Sequence, residues 1–326
     1  MGVSVVEPCI DDVRRIGESC SNWGRWGTDD ELGTLNLITP ESVRAGAATV
    51  ELGEVISLGL PYNSAGPQTG GFGRFNPIHM MIRDGNDALA GTTPRDFYKG
   101  RDAYIRSADD IIIMPLQCGT QWDALSHIMY DGTMYNGIPA SEISSLGARK
   151  SDITVAQDKM TGRGVLLDIA RWRGVDSLEP GFVIGRAELE GCAAAQGTEV
   201  RAGDFVLVRT GQVGEVRRRG AWEDYAGGDA PGLGLSAPEW LHEHDVAGVA
   251  TDTWGMEVLP NETKDVFQPL HIILIVYMGL WVGEIFDLEG LGTRCAEIGR
   301  REFLFSAPPL PITYAVGSPV NPQVVL

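Results

Sequence analysis

Residues 117–127 read Gln-Cys-Gly-Thr-Gln-Trp-Asp-Ala-Leu-Ser-His, and this stretch decides how the rest of the chain is interpreted. The apolar run 111–116 precedes it and predicts a strand that leads directly into the segment. Gly119-Thr120 allows a tight bend, so that side chains on either side of the bend can converge on one point. The side chains that could bind a cation fall at relative positions 0, 4, 6 and 10, and they are Gln117, Gln121, Asp123 and His127.

The local chemistry of this segment allows two interpretations. Asp123 offers a hard anionic oxygen and His127 a neutral imidazole, a pairing that suits Mn²⁺, Zn²⁺ or Fe²⁺. The same side chains could instead form a hydrogen-bond network that only braces a turn. The residues alone leave both interpretations open.

Outward from this segment, short β-branched apolar runs alternate with helical patterns, which predicts a mixed α/β fold. The predicted strands are 165–169, 205–209, 246–250 and 280–286. The predicted helices are 185–197, 268–279 and a short one that begins at Pro40 with Thr39 as its N-cap. Residues 61–100 are rich in glycine and proline and predict a long functional loop.

Composition excludes several classes of function. The net charge of −18 comes from 26 basic and 44 acidic residues, and it would repel nucleic acid and anionic membranes. The longest apolar run, 272–282, is about half of what a bilayer requires. The first residues lack a basic segment of the kind that begins a secretory signal, so a cytoplasmic location is expected. The five cysteines are odd in number and show no CxxC spacing, which argues against structural zinc and a disulfide framework.

The segment 117–127 resembles the H-x-G-T-H-x-D-x-P-x-H signature of the cyclase family, which includes bacterial kynurenine formamidases and isatin hydrolases. His271 and Glu284 match a later histidine on a helix and a metal-binding glutamate on the following strand of that family. Other resembling segments are 22–27, 33–38, 164–168, 208–211 and 251–254. The chain is identified as a member of the longer branch of this family, of roughly 300 residues.

The resemblance implies a single domain over 1–326, with a mixed β core flanked by helices in the swivelling β/β/α arrangement of the family. Residues 1–100 would wrap this core and shape the entrance to the site. The resemblance also implies a homodimer or homotetramer that acts on a small molecule.

Two departures from the signature concern the metal. Gln117 and Gln121 stand where the family has histidines, and a glutamine carbonyl is a weaker metal ligand than imidazole. The resemblance therefore implies one divalent metal, manganese or zinc, held by Asp123, His127 and Glu284. A site that binds no metal is the alternative.

The expected chemistry is that of a hydrolase or cyclase acting on a C–N or C–O bond of a small cyclic amide, lactone or formamide-type substrate. A divalent cation would polarise the carbonyl and activate water, with His271 as general base or acid beside Asp123. Without a metal, Gln117 and Gln121 become candidate oxyanion donors for a metal-free cyclase or dehydratase. A relative that binds a small molecule without turnover is also possible.

Further residues are candidates for supporting roles. Aromatic and histidine side chains in the N-terminal third are candidate substrate contacts: Trp23, Trp26, Phe72, Phe75 and His79. Asp252 and Glu257 are expected to orient the residues of the site without binding the metal themselves. His242 and His244 are interpreted as solvated surface residues and not as metal ligands.

Overall fold

A computed structural model describes residues 7–92, 99, 101 and 105–326 of the chain. The strands are β1 Val55–Ser57, β2 Ile78–Arg83, β3 Asp109–Ile113, β4 Gln121–Asp123, β5 Ile143–Ser144, β6 Gly147–Ala148, β7 Thr161–Asp168, β8 Val183–Ile184, β9 Phe205–Arg209, β10 Gly232–Leu233, β11 Gly248–Thr251, β12 Trp281–Glu284, β13 Glu302–Ser306, β14 Gly317–Pro319 and β15 Gln323–Val325. The α-helices are α1 Ile10–Ser19, α2 Pro40–Ala47, α3 Gly85–Ala90, α4 Ile169–Trp172, α5 Arg186–Gln196, α6 Gln212–Arg219, α7 Ala237–Glu243, α8 Pro269–His271 and α9 Glu289–Ile298. Short 3₁₀ turns cover Gly33–Leu37, Gly71–Gly73, Tyr135–Gly137, Ala140–Glu142 and Ile153–Ala156, and a π-helix covers Ile272–Tyr277.

A nine-stranded mixed sheet organises the fold, with its strands in the order β1-β15-β13-β7-β9-β11-β12-β4-β14. Its centre, β7-β9-β11-β12, is parallel, and these strands are buried almost throughout, as their continuous apolar sequences require. The antiparallel strands β4 and β14 follow at one side. The predicted mixed α/β fold is confirmed, and the predicted strand 205–209 coincides with β9.

The prediction for residues 111–116 is wrong in two respects. The strand is β3, which ends at Ile113 and pairs with β2 in a separate two-stranded hairpin. The strand that carries the polar segment in the main sheet is β4, which a turn separates from β3. From sequence alone, an apolar run of this length is typical of a buried strand. In the structure, most side chains of both hairpin strands are exposed.

The helix predicted over 268–279 also differs from expectation. It begins as the short helix α8 and continues as the π-helix Ile272–Tyr277, in which the Met278 N–H donates to the Ile273 carbonyl at 3.0 Å. The helix ends at Gly279, whose φ of +61° is accessible to glycine without strain. Helix α5 begins and ends within a residue of its predicted bounds, and α2 begins at Pro40 with Thr39 as its cap, as expected.

The N-terminal segment lies against the helix that carries His271. Gly17 of α1 packs so closely on the Tyr277 ring that a Cβ at this position would lie 2.4 Å from it. The Asn22 N–H donates to the Tyr277 carbonyl, and the Thr34 N–H to the Gly279 carbonyl. These contacts agree with a wrapping role for the segment, and the single-domain organisation stays a prediction. In the part of the chain that the structure describes, no helix is both long and apolar enough to cross a membrane.

Candidate active site

The register of two antiparallel strands places the acidic side chains of the site. In the pairing of β12 with β4, Glu284 lies opposite Gln121 and Val282 opposite Asp123. Because alternate residues of a strand share a face, Gln121, Asp123 and Glu284 project from the same side of the sheet. Trp122, between them, points into the core on the other side and is fully buried.

His271 completes this group from the helix that precedes β12. Its Nε2 lies 3.2 Å from Glu284 Oε1, and the ligand atoms of Asp123, His271 and Glu284 all lie within 4.8 Å of one another. All three residues are buried. Two strands and one helix therefore bring a histidine and two carboxylates to a single point.

Glu257 fixes the orientation of His271 from behind. Its Oε1 lies 2.6 Å from His271 Nδ1 and accepts the His271 backbone N–H at 3.2 Å, while its Oε2 accepts the Leu270 N–H at 3.1 Å. A proton on Nδ1 would leave Nε2 with its lone pair directed at the site. The expectation that Glu257 supports the site agrees with this geometry.

The two glutamines of the segment have incompletely satisfied amide groups. Gln121 Nε2 donates to Glu284 Oε2 at 2.8 Å, but Gln121 Oε1 is buried without a partner. Gln117 Nε2 is also buried without a partner, and it lies against Gly317, where a Cβ would approach it to 2.6 Å. Asp123 Oδ2 is likewise buried without a hydrogen bond. Such unpaired buried atoms are rare in folded proteins and indicate a ligand.

The electrostatics of the site reflect its crowded carboxylates. Burial and then the charge of Glu284 raise the pKa of Asp123 to about 8, against the opposing effects of His271 and Arg74. Burial alone would lower the pKa of His271, but its hydrogen bonds to Glu257 and Glu284 outweigh burial and raise that pKa to about 10. Without a metal, one imidazole thus sits among three carboxyl groups.

His127 lies at the edge of this group. Its Nε2 is 3.9 Å from Asp123 Oδ1, beyond hydrogen-bond distance, and it does not belong to the trio whose ligand atoms converge. Burial, followed by the charges of Arg74 and His271, lowers the pKa of His127 to about 3, so its ring is neutral. The roles predicted for His127 as a metal ligand and for His271 as a base stay predictions, although the geometry places His271 nearer to the two carboxylates.

The residues present fit a divalent cation. Asp123 and Glu284 supply carboxylate oxygens, His271 an imidazole nitrogen, and the unpaired Gln121 Oε1 a neutral oxygen. Oxygen-rich sets with one imidazole suit Mn²⁺ and also accept Zn²⁺. A dication would also offset the repulsion between the buried carboxylates.

A cavity of about 420 Å³ opens above the site, a size that accommodates a small organic molecule. Its lining includes Gln117, His127, His271 and Glu284 from the polar group. Phe72, Arg74 and Trp254 form another part of its wall. Arg74 and Trp254 were not among the predicted site residues, because nothing in the local sequence places a loop arginine opposite a segment more than 40 positions later.

Phe72 alone among the five predicted substrate contacts lines this cavity in the described structure. Trp23 packs against the helix that carries His271, because its Nε1 donates to the Val276 carbonyl at 2.7 Å and its ring stacks on Tyr277. Trp26 lies under the Arg25 guanidinium. His79 belongs to the exposed β2–β3 hairpin, where its Nε2 lies 2.8 Å from Asp110 Oδ2.

Three further candidates are not among the residues that line the cavity: Phe75, Asp252 and His244. Phe75 is 41% exposed and lies outside the residues that line the cavity. Asp252 does not contact the site, because its carboxylate accepts hydrogen bonds from Thr210 and Gly211. His244 Nδ1 lies 2.8 Å from the Trp240 carbonyl, and His244 is not among the residues that line the cavity.

Comparisons with known proteins identify relatives of this chain. A family described as "Putative cyclase" matches residues 56–258. The crystal structure of a novel cyclase is 40% identical, with a TM-score of 0.83 over 94% of this chain and 99% of that chain. A search of curated proteins gives no match.

More distant structures share the fold. Isatin hydrolase A from Ralstonia solanacearum is 18% identical, with a TM-score of 0.58 over 88% of this chain and 97% of that chain. A predicted metal-dependent hydrolase from Bacillus stearothermophilus is 17% identical, with a TM-score of 0.50 over 83% of this chain and 97% of that chain. The predictions of the family, of the fold and of an enzyme are confirmed by these matches.

Proposed function

Because this chain belongs to the cyclase family, we propose that it is a metal-dependent hydrolase or cyclase of a small cyclic amide, lactone or formamide-type substrate. The observation that carries the proposal is the convergence of Asp123, His271 and Glu284, of which His271 and Glu284 line the cavity, beside the unpaired oxygens Asp123 Oδ2 and Gln121 Oε1. The names of the isatin hydrolase and metal-dependent hydrolase that share the fold are consistent with it.

In this proposal Asp123, Glu284 and His271 hold the metal, with the Gln121 amide oxygen as a weaker ligand. This differs from the sequence prediction, because His271 takes the position expected of His127. The metal, when bound, supplies polarisation of the substrate carbonyl and a lower pKa for water. Glu257 holds the His271 ring so that Nε2 faces the site.

His127 is then the residue that moves protons. It lines the cavity with Nε2 beside Asp123, and its lowered pKa makes it a weak proton acceptor but a strong acid once protonated, so its main contribution is to return the proton to the leaving group. During hydrolysis a water oxygen bonds to the carbonyl carbon, and His127 accepts the proton that water releases. The C–N or C–O bond breaks, and His127 returns that proton to the leaving nitrogen or oxygen.

A second candidate function is a metal-free cyclase or dehydratase. It is favoured by the hydrogen bond from Gln121 Nε2 to Glu284 Oε2 and by the unpartnered amide donor Gln117 Nε2, which belongs to a residue that lines the cavity. In that case Gln117 would stabilise a developing oxyanion and the imidazolium of His271 would act as the acid.

Metal analysis beside turnover separates the two candidates. We expect protein loaded with Mn²⁺ or Zn²⁺ to retain about one ion per chain and to hydrolyse members of a panel of isatin, a formanilide and an aryl lactone. Asp123→Asn should lose both properties, while His244→Asn, which changes a histidine away from the cavity, should keep both. A wild-type protein that takes up no ion after loading would refute metal dependence, and turnover in that state would favour the second candidate.

The assembly and location of the protein remain proposals. We propose a cytoplasmic homodimer or homotetramer that binds neither nucleic acid nor membranes. The exposed apolar side chains of the hairpin, among them Met80 and Ile111, agree with an oligomer. Light scattering after gel filtration tests this, and Ile111→Lys should reduce the measured mass if the hairpin forms the interface.

A further inference from the structure

The loop that carries Arg74 is held in place above the site by hydrogen bonds. Gln68 N donates to Asn76 Oδ1 at 2.8 Å, and Asn76 Nδ2 donates back to the Gln68 carbonyl at 3.1 Å, which closes the loop 68–76. Gln68 Nε2 donates to the Cys118 carbonyl at 2.9 Å and so ties this loop to the segment 117–127. The position of Arg74 relative to the site is therefore set by the fold.

An aromatic surface accompanies Arg74. The Trp254 ring is buried and Trp254 Nε1 donates to Gln68 Oε1 at 3.3 Å, so the ring is fixed. The Phe72 ring stacks on it with 6.0 Å between centroids and 25° between planes. The Arg74 guanidinium lies 5.4 Å from the centroid of the same Trp254 ring. A planar ring and a guanidinium thus line one wall of the cavity.

The N–H groups of the Arg74 guanidinium can donate hydrogen bonds to a ligand. Among the described residues, no carboxylate makes a salt bridge with it, in a chain where acidic residues outnumber basic ones by 44 to 26. The deeper part of the cavity is acidic, through Glu284 and the adjacent Asp123. A negatively charged molecule would be repelled by that floor and by the net charge of −18 unless a cation received it.

We propose that Arg74 binds a carboxylate of the substrate, and that the substrate is an aromatic carboxylate whose ring lies along Phe72 and Trp254. A guanidinium matches a carboxylate with two parallel hydrogen bonds, which gives orientation as well as affinity. The part that concerns orientation rests on the proposed function, since the bond to be broken must then face Asp123 and Glu284. Arg74 thereby determines specificity for an anionic substrate.

Binding of two matched probes tests this without turnover. Benzoate and benzamide share a ring and differ in charge, and their dissociation constants can be measured by ligand-observed NMR with chelator and again after metal loading. We expect the wild-type protein with chelator to bind benzoate at least about tenfold more tightly than benzamide. Arg74→Gln should abolish this preference, and Arg74→Lys should retain part of it.

Arg173 supplies the control. Its guanidinium also lies over aromatic rings, 5.5 Å from the Trp172 and Phe182 centroids, but outside the cavity, so Arg173→Gln should leave the preference unchanged. A preference that is absent in the wild-type protein, or that survives in Arg74→Gln, overturns the proposal. A preference that appears only with metal also overturns it, because the carboxylate then binds the ion. A wild-type protein that takes up no ion after loading but keeps the preference would refute the metal-dependent function alone.

Discussion

Two buried aspartates on neighbouring parts of the sheet have opposite surroundings. Asp252 follows β11 and is 0% exposed, while Asp123 ends β4 and is 1% exposed. Asp252 accepts the Thr210 N–H at 2.8 Å and hydroxyl at 2.7 Å on one oxygen, and the Gly211 N–H at 2.8 Å on the other. Asp123 has one oxygen without any partner and another that is 3.5 Å from Gln121 Nε2.

The difference shows that a buried aspartate can stabilise the fold or form part of a binding site. A buried carboxylate whose oxygens are all paired joins loops to strands and stabilises the native state. A buried carboxylate with an unpaired oxygen costs stability unless a ligand completes it. We therefore expect substitutions at Asp252 to affect folding and substitutions at Asp123 to affect function.

The largest effect is expected for Asp123→Asn. Loss of the anionic ligand should lower kcat/KM on the best panel substrate by about 1,000-fold or more, equivalent to ~4 kcal/mol. Without metal, the thermal midpoint should stay equal to that of the wild-type protein or rise, because the substitution removes a carboxyl group whose ionised form is disfavoured by burial and by the charge of Glu284. A midpoint several degrees lower would contradict the functional assignment of Asp123.

Asp252→Asn should show the reverse pattern. Its amide nitrogen would replace one of the two accepting oxygens and leave the N–H of Thr210 or of Gly211 buried without an acceptor, which should reduce the free energy of unfolding by about 2–4 kcal/mol. Denaturant titration measures that loss. Metal content and kcat/KM per folded molecule should stay within about threefold of wild type, and a large fall in either would break the contrast with Asp123.

Glu257→Gln is expected to have an intermediate effect, because Glu257 acts through His271. The substitution keeps the shape but weakens the hydrogen bond to His271 Nδ1, which should lower metal affinity by about 10- to 100-fold. Competition with a metal indicator measures the affinity. Saturating metal should restore most of the activity, and a variant that stays inactive at saturation would show that Glu257 has a role beyond positioning.

The smallest effect is a pH dependence at Asp252. Burial raises the pKa of Asp252 to about 6, despite the opposing charge of Arg209 and hydrogen bonds from Thr210. Since the unfolded value is about 3.9, the native state holds more protons between these values, and this group makes stability fall as pH rises from about 4 to 6. The free energy of unfolding of the wild-type protein should therefore exceed that of Asp252→Asn by more at pH 4 than at pH 7. A difference that grows with pH would contradict the upward shift of the Asp252 pKa.

The sequence predicted much of the sheet-borne part of the site. Gln121, Asp123 and Glu284 share a face because strand alternation and register are set by the apolar pattern around them. The roles of His127 and His271 were assigned by resemblance alone, which could not show that His271 approaches both carboxylates while His127 Nε2 stays 3.9 Å from Asp123 Oδ1.

The positions of the site residues that lie in loops could largely not be predicted from the sequence. Phe72 was a candidate only as an aromatic residue in a glycine-rich loop, and Arg74 was not one. Their positions depend on the hydrogen bonds of Gln68 with Asn76 and with the Cys118 carbonyl, which have no periodic signature in sequence. The exposure of β2 and β3 was missed for a similar reason, since an apolar run does not reveal whether another strand will cover it.

The number of residues in the π-helix that follows His271 affects the geometry of the site. His271 and Glu284 are 13 positions apart, and the wide turn at Ile272–Tyr277 absorbs one residue more than an α-helical turn would. Deleting one residue there should restore a regular α-helical turn and leave β12 in register, whereas inserting a further residue would shift β12 by one position and turn Glu284 to the opposite face of the sheet. This segment should therefore accept a single-residue deletion but not a single-residue insertion, a distinction that a library of deletions beside insertions would reveal.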